Sequence, residues 1–400
     1  MASAPHILVL FRHFGPYHVA RLNALAKSAR VTAVEFARDD DEYPWGAKRE
    51  AHDFVWHSLC DAYPVHLPAR ASAGRKLTSL IDTADPEVLA VPGWSEPLAL
   101  AALAAASRRG IPAVAMSDSK ADDFPRRAIR ERIKRHILSR FSAALVAGSA
   151  HRDYLVSLGF PPERIVAGFD VVDNRHFADG ADQARAAAAD LREKHNLPAA
   201  YFLASARFIA KKNLDGLLDA YRRHRDAVGA GAWDLVITGD GPLRGALETV
   251  ANRHGIGGNI HMPGFANYDD LPVYYGLAGA FILPSHTDQW GLVVNEAMAA
   301  GLPVLVSTGS GCAGDLVEEG GNGFTFDPSN PAGLADLMRR MSDGSCNLTG
   351  MGEASREIIA GWDLNRFAAG MREACRLAVE AGAKRPNQID MAILMGLAFR

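Results

Sequence analysis

Arg207 and Lys212 bracket a short loop, Arg207-Phe208-Ile209-Ala210-Lys211-Lys212-Asn213, that leaves an apolar run and enters a helix-like stretch. Two cations beside a helix amino terminus make a strong anion site, because the unsatisfied N–H groups and the helix dipole add to their charge. A diphosphate fits; taken alone, the pair also reads as two solvated bases. Downstream, Pro284-Ser285-His286-Thr287-Asp288-Gln289-Trp290-Gly291-Leu292-Val293-Val294-Asn295-Glu296 follows the apolar run Ala280 to Leu283. Asp288 sits on a loop, and Glu296 comes eight positions later in the helix-like stretch Val294 to Ala300. Gly301-Leu302-Pro303 ends that stretch before a strand at Val304. Carboxylates accept hydrogen bonds from hydroxyl groups, so the two acids suit a polyol.

Other candidates follow strand ends. Phe14-Gly15-Pro16-Tyr17-His18 places a small residue where a ligand approaches the backbone, but it is not the G-x-G-x-x-G of dinucleotide binding. His18 reads equally as a polar contact in a cleft or as a helix-start histidine with no ligand; Arg21 reads as structural. Asp118, in Ser117-Asp118-Ser119-Lys120, is a further site candidate, because open α/β sheets bind ligands at the carboxyl ends of their strands. Gly239-Asp240-Gly241-Pro242 reads as a tight turn. Gly309-Ser310-Gly311-Cys312 reads as a flexible loop and lacks the Gly-Lys-Ser/Thr of a Walker loop. The bases Arg126, Arg127, Arg130, Arg132, Lys134, Arg135 and Arg140 read as a solvated helix face, with an anionic acceptor or lipid surface as the sharper alternative. No G-x-S-x-G elbow and no H-E-x-x-H spacing occurs.

These residues need a scaffold that brings strand ends together. The chain has 400 residues, 48% hydrophobic and 22% charged, enough for two cores rather than one. Its formal net charge of -3 gives no general case for nucleic-acid binding. Four scattered cysteines (60, 312, 346, 375) indicate neither a disulfide framework nor a zinc site, and a reducing cytosol is expected. The first residues lack the pattern of a signal peptide, and no apolar run approaches the roughly 20 residues that span a bilayer. Strands are expected at 6–11, 30–35, 88–91, 112–116 and 143–147. Helices lie between them, at about 19–29 and 97–108. After a charged, Ala-rich helix at 180–195 the alternation restarts: strand 199–206, helix 213–225, and strands at 235–238, 261–265, 280–283 and 304–307. Residues 331–382 read as helices with a turn near Gly361, and 391–400 is apolar and unassigned. Alternating strands and helices mean parallel sheets.

Taken together and in this order, the motifs resemble the retaining glycosyltransferases of family 4, over about residues 6 to 375. Phe14 to His18, Phe169-Asp170-Val171-Val172-Asp173 with Phe177, Arg207 to Lys212, Gly239 to Pro242, Pro263-Gly264, Pro284-Ser285, the acids 288 and 296, and Gly301 to Val304 carry the likeness. The resemblance implies an α/β, GT-B architecture: two Rossmann-like domains facing across a cleft. Residues 1–178 would bind acceptor, 179–198 would be the boundary helix, 199–365 would bind the nucleotide sugar, and 366–400 would be a helix returning to the first domain, with a tail. It implies transfer of a hexose-type sugar, with retention and without a metal or cofactor, from a nucleoside-diphosphate sugar to a glycan, lipid-linked or small-molecule hydroxyl. A UDP-sugar is favoured as donor, with a GDP-sugar next. Arg207 and Lys212 would hold the pyrophosphate, Glu296 the ribose hydroxyls and Asp288 the donor sugar. Gly291, Leu292 and Val293 would offer backbone groups, and Gly264 and Phe265 would border the base. Gly15, His18 and Asp118 would contact the donor from the first domain. The chain departs from the family pattern twice: Asp288 stands where Glu is usual and Asp118 where a histidine is common. Both bear on sugar choice. The alternatives are a GT-B sugar-nucleotide epimerase or hydrolase, and a non-catalytic sugar-nucleotide-binding relative. A cytoplasmic protein is expected, with peripheral contact to the inner membrane face as an extension. First-domain loops such as 38–75 would select the acceptor.

Overall fold

The computed structural model describes residues 4–40, 52–63, 67–123, 125–385, 390, 394 and 396. The chain divides into two compact units, Met1–Val171 with Leu364–Arg400, and Val172–Asp363. The first unit runs β1 (His6–Phe11), α1 (Pro16–Ala26), β2 (Arg30–Asp40), β3 (Val55–Tyr63), α2 (Leu67–Ala84), β4 (Val88–Pro92), α3 (Pro97–Arg109), β5 (Ala113–Ser117), α4 (Ala128–Leu138), β6 (Ala143–Val146), α5 (Ser149–Ser157) and β7 (Ile165–Ala167). The second runs α6 (Asn174–Ala186), α7 (Ala188–His195), β8 (Tyr201–Ser205), α8 (Leu214–Val228), β9 (Asp234–Thr238), α9 (Arg244–Arg253), β10 (Ile260–Gly264), α10 (Leu271–Leu277), β11 (Ala280–Leu283), α11 (Leu292–Ala299), β12 (Val304–Ser307), α12 (Ala313–Leu316), β13 (Gly323–Phe326), α13 (Pro331–Ser342) and α14 (Leu348–Ala360). The last helix, α15 (Leu364–Ala381), belongs to the first unit, where Gly370 packs against Leu145 and Val166.

Each unit holds one parallel sheet. The orders are β3-β2-β1-β4-β5-β6-β7 and β10-β9-β8-β11-β12-β13. Strands covered on both faces must be apolar along their length. Thus every residue of β1, β6, β11 and β12 is buried. The first strand of each unit sits inside its sheet, and strand order reverses beside it, between β1 and β4 and between β8 and β11. Loops leaving neighbouring strands at such a reversal part to opposite faces of the sheet, which leaves a crevice at the carboxyl ends.

Several elements differ from the sequence reading. Residues 38–75, expected as loops, contain the end of β2, all of β3 and the start of α2. β3 is polar because it is an edge strand, with Leu59 its one fully covered residue. The helix expected at 180–195 is two helices, beginning at Asn174, where the Asp173 carboxylate caps the Arg175 and His176 N–H groups at 3.1 and 3.3 Å. Both lie in the second unit. Helix α1 starts three residues before the expected Val19, with Pro16 in its first turn. Most of the unassigned stretch 391–400 lies outside the described residues.

Candidate nucleotide-sugar site

The β8 and β11 ends carry the two loops that the sequence singles out, so the strand reversal of the second sheet brings them together. After β8 the chain passes Arg207, makes a single 3-10 turn at Ala210–Lys212 and enters α8. Asn213 takes a left-handed conformation at this joint (φ 53°), which asparagine tolerates better than most side chains. Its buried amide donates to the Pro284 carbonyl at 3.0 Å and the Pro328 carbonyl at 2.9 Å. The His286 N–H in turn donates to the Lys211 carbonyl at 2.9 Å. The cationic loop is thereby bolted to the acidic one.

Across that joint the Lys212 ammonium meets the Asp288 carboxylate, with side chains only 13% and 11% exposed. Ser285 Oγ also donates to Asp288 Oδ2, at 3.4 Å, and Lys211 donates to Gln289 Oε1 at 3.1 Å. A largely buried ion pair of this kind is held by geometry, because desolvating both charges offsets much of their attraction. Arg207 and Lys211 lie on the same loop as Lys212, so cations outnumber the single carboxylate of Asp288 there. An incoming anion therefore meets net positive charge beside the amino-terminal end of α8.

The backbone of the acidic loop is clamped by the glycine segment after β12. Asp288 N–H donates to the Gly309 carbonyl at 3.1 Å, and Gly311 N–H donates back to the Asp288 carbonyl at 3.0 Å. Cys312 N–H donates to the Trp290 carbonyl at 3.1 Å. Residues 309–312, read from sequence as a flexible loop, are thus an ordered brace. A Cβ on Gly309 would meet the His286 carbonyl oxygen at 2.2 Å, so glycine is required for the close approach. Gly291 has φ 105° and caps α11, and a Cβ there would meet Leu283. Leu292 and Val293 form the first turn of α11, half-buried. Glu296, one turn on, is 1% exposed and accepts from the Tyr275 hydroxyl at 2.7 Å. Burial, then the charge of Glu296, pushes the Tyr275 phenol well above its usual range, so it stays a donor.

Similarity to known proteins places the chain. A model of "glycosyl transferases group 1" matches residues 188–358, and a "glycosyl transferase 4-like domain" matches residues 17–167. This chain is a member of the group 1, family 4 glycosyltransferases. It is 27% identical over 217 residues to an alpha-D-kanosaminyltransferase of Streptomyces kanamyceticus, covering 52% of this chain and 53% of the relative. It is 30% identical over 202 residues to a GDP-mannose-dependent phosphatidylinositol monomannoside mannosyltransferase of Mycobacterium tuberculosis, covering 48% and 51%. The chain thus spans about half the length of these relatives. A glycosyltransferase structure from Rickettsia africae superposes with TM-score 0.75 at 13% identity, over 94% of this chain and 99% of that one. Anabaena HepE, solved in complex with UDP, superposes with TM-score 0.71 at 17% identity, over 92% and 98%. The fold is two-domain, Rossmann-like GT-B.

In the second unit Gly264 (φ 91°) ends β10, and Phe265 beyond it is 45% exposed. Gly239-Asp240-Gly241 is a turn, but one that carries the Arg207 loop. Phe208 N–H donates to the Asp240 carbonyl at 2.8 Å, and Ala206 N–H to the Thr238 carbonyl at 3.0 Å. A Cβ on Gly239 would lie 1.9 Å from the Ala206 carbonyl oxygen.

The first-unit candidates sit on their own sheet. The Gly15 N–H donates to His18 Nδ1 at 3.1 Å, so the ring caps its own helix. Burial, then Arg21 and His13, lowers the His18 pKa to about 3, which keeps the ring a neutral acceptor. The same device recurs unannounced at α5, where Gly148 N–H donates to His151 Nδ1 at 3.2 Å. The Gly-x-x-His spacing before each helix was the available signal. Asp118 follows β5; the adjacent β6 leads to His151, and β7, one strand further, leads to Asp170. Burial, then the Asp170 charge, raises the Asp118 pKa to about 6. Arg21 is buried and donates to the Val171 carbonyl at 2.8 Å and to Asp170 at 3.3 Å. Among the described residues no group of three or more His, Cys, Asp or Glu gathers as a metal ion would need, and no helix is long and apolar enough to cross a membrane.

Proposed function

We propose that the chain is a retaining hexosyltransferase that moves a sugar from a nucleoside-diphosphate donor to a hydroxyl acceptor. The observation that carries this reading is the convergence of the Lys212 ammonium and the Asp288 carboxylate at the strand reversal of the second sheet, beside the start of α8. Glycosyl transfer breaks the bond between the anomeric carbon and the diphosphate. Positive charge grows on the sugar and negative charge on the leaving phosphate. Fixed cations aimed at that phosphate lower the barrier because they need no reorganisation as the charge forms. Arg207 and Lys212 take this role, without a metal. Asp288 holds Lys212 in position and offers its remaining acceptor capacity to a sugar hydroxyl. Glu296, set rigidly by Tyr275, takes the ribose. The acceptor oxygen bonds to the anomeric carbon on the face that the diphosphate leaves, and the acceptor proton passes to the departing phosphate oxygen. Configuration is retained.

A UDP-sugar is the first donor to try and a GDP-sugar the second. The relatives' printed names include a GDP-mannose-dependent enzyme, and a similar fold was solved with UDP. Release of nucleoside diphosphate from a donor panel tests the reading. Arg207→Ala and Lys212→Ala should each lower release by at least about a hundredfold, the scale of losing one group that stabilises transition-state charge, while circular dichroism stays unchanged. Wild-type rates in either variant contradict it.

A further inference from the structure

We infer that the outward face of α4 docks the protein onto a bilayer surface that carries anionic headgroups. The basic stretch around α4 splits into two sets. Lys134 and Arg126 reach Glu131 at 3.0 and 3.3 Å and the Tyr154 hydroxyl at 2.8 and 2.6 Å. His136 and Arg140 pair with the buried Asp390 at 2.9 and 2.6 Å. These bases are engaged within the fold. Arg127, Arg130, Arg132 and Arg135 are exposed, and none makes an ion pair or side-chain hydrogen bond with a described residue.

On other helices, arginines that stand exposed without an ion pair to a described residue occur singly, as Arg75, Arg108, Arg253 and Arg372 do, and many others are matched by acids one turn away. Arg222 pairs with Asp219 and Asp226, Arg244 with Asp240 and Glu248, Arg339 with Asp343, and Arg376 with Glu373 and Glu380. Helix α4 has one acid, Glu131, and it is spent inward. With a chain net charge of -3, this local excess is not a by-product of a basic protein.

Two large apolar side chains stand among the free arginines. Ile129 is 66% exposed and Ile133 is 38% exposed. Four residues apart, they share one side of the helix, with Arg130 and Arg132 to either hand. Ile137 and Leu138, by contrast, are buried. A polyanion in water would use the arginines and gain nothing from bare isoleucines. An interfacial helix uses both: its apolar residues enter the headgroup boundary while its bases meet lipid phosphates. The surface lies on the first unit and does not depend on the nucleotide-site reading.

The test is co-sedimentation of the full chain with vesicles of phosphatidylcholine, with and without phosphatidylglycerol. Binding should require phosphatidylglycerol and fall with salt. The pair Arg130→Glu/Arg132→Glu should weaken binding by at least about tenfold, since each lost base near the surface counts several-fold. Ile129→Ser/Ile133→Ser should weaken it too. Both variants should release nucleoside diphosphate from soluble donor at the wild-type rate, which shows that they are folded. Absence of vesicle binding, or equal binding by wild type and either variant, overturns the proposal. Retention on heparin or duplex DNA that depends on the arginines and ignores the isoleucines, with no vesicle binding, replaces the membrane by a polyanion.

Discussion

At the scale of single residues, the site rests on charges that need each other. Lys212 and Asp288 are about nine-tenths covered, so each is the other's main compensation. Removing one should leave a poorly solvated charge. Lys212→Ala should cost about 1–3 kcal/mol in urea unfolding, below the value for a fully buried pair because some water reaches this one. Lys212→Ala with Asp288→Asn should recover part of that stability without recovering turnover, which a double-mutant cycle would read. Asp118 gives a second test. Its pKa of about 6 lies above the ordinary aspartate value near 4, because the fold takes much of it out of water beside Asp170, with Asp123 adding to the effect and His151 opposing it. The folded state therefore keeps its proton longer than the unfolded chain, and its contribution to stability falls as pH rises from about 4 to about 6. His18 acts oppositely, costing stability as pH falls below about 6.5. The difference in Tm between wild type and Asp118→Asn isolates the first effect: the variant should gain on the wild type across pH 4 to 6 and hold that gain above. A constant difference across that range would refute the assignment.

At the scale of elements, glycines decide where the loops can go. Gly239 has φ 117°, and its Cα lies against the Ala206 carbonyl under the Arg207 loop. Gly239→Ala should lower stability by about 2 kcal/mol or more, through both the left-handed backbone and the clash, and should lower turnover with it. Gly231→Ala, with open space around it, should leave both unchanged. Much of this scaffold was legible in the sequence, because parallel strands covered on both faces read as unbroken apolar runs: β1 and β11 have the expected limits. What escaped has physical reasons. Strand β3 (Val55–Tyr63) lies at an edge and carries polar residues, β7 is three residues long, and β13 is Gly-Phe-Thr-Phe. The clamp of Gly309 and Gly311 on Asp288 joins strand ends more than 20 positions apart, and no local pattern announces it. The same holds for Tyr275 and Glu296: the acid was visible, while the phenol that fixes it was not.

At the scale of the whole molecule, the chain builds the same strand order twice, and chemistry gathers where the order reverses. In the second unit that point holds three lysine and arginine side chains on one loop and Asp288 on the next, tied by Asn213 and by the Lys212 ion pair. In the first unit it holds the helix cap made by His18 after β1, one turn before Arg21, which is buried and pairs with Asp170 from beyond β7. Their buried cores give each sheet its own foundation, and α15 returns the last helical segment to the first unit. The central claim is that the Arg207 to Lys212 loop grips a diphosphate. Calorimetric titration of UDP and GDP into the wild-type chain, Arg207→Ala and Lys212→Ala tests it most directly. At least one nucleotide should bind the wild type, and each substitution should weaken that binding about tenfold or more, the scale of losing one charge-assisted contact. Equal affinity in all three proteins, or no binding of either nucleotide to the wild type, would contradict it.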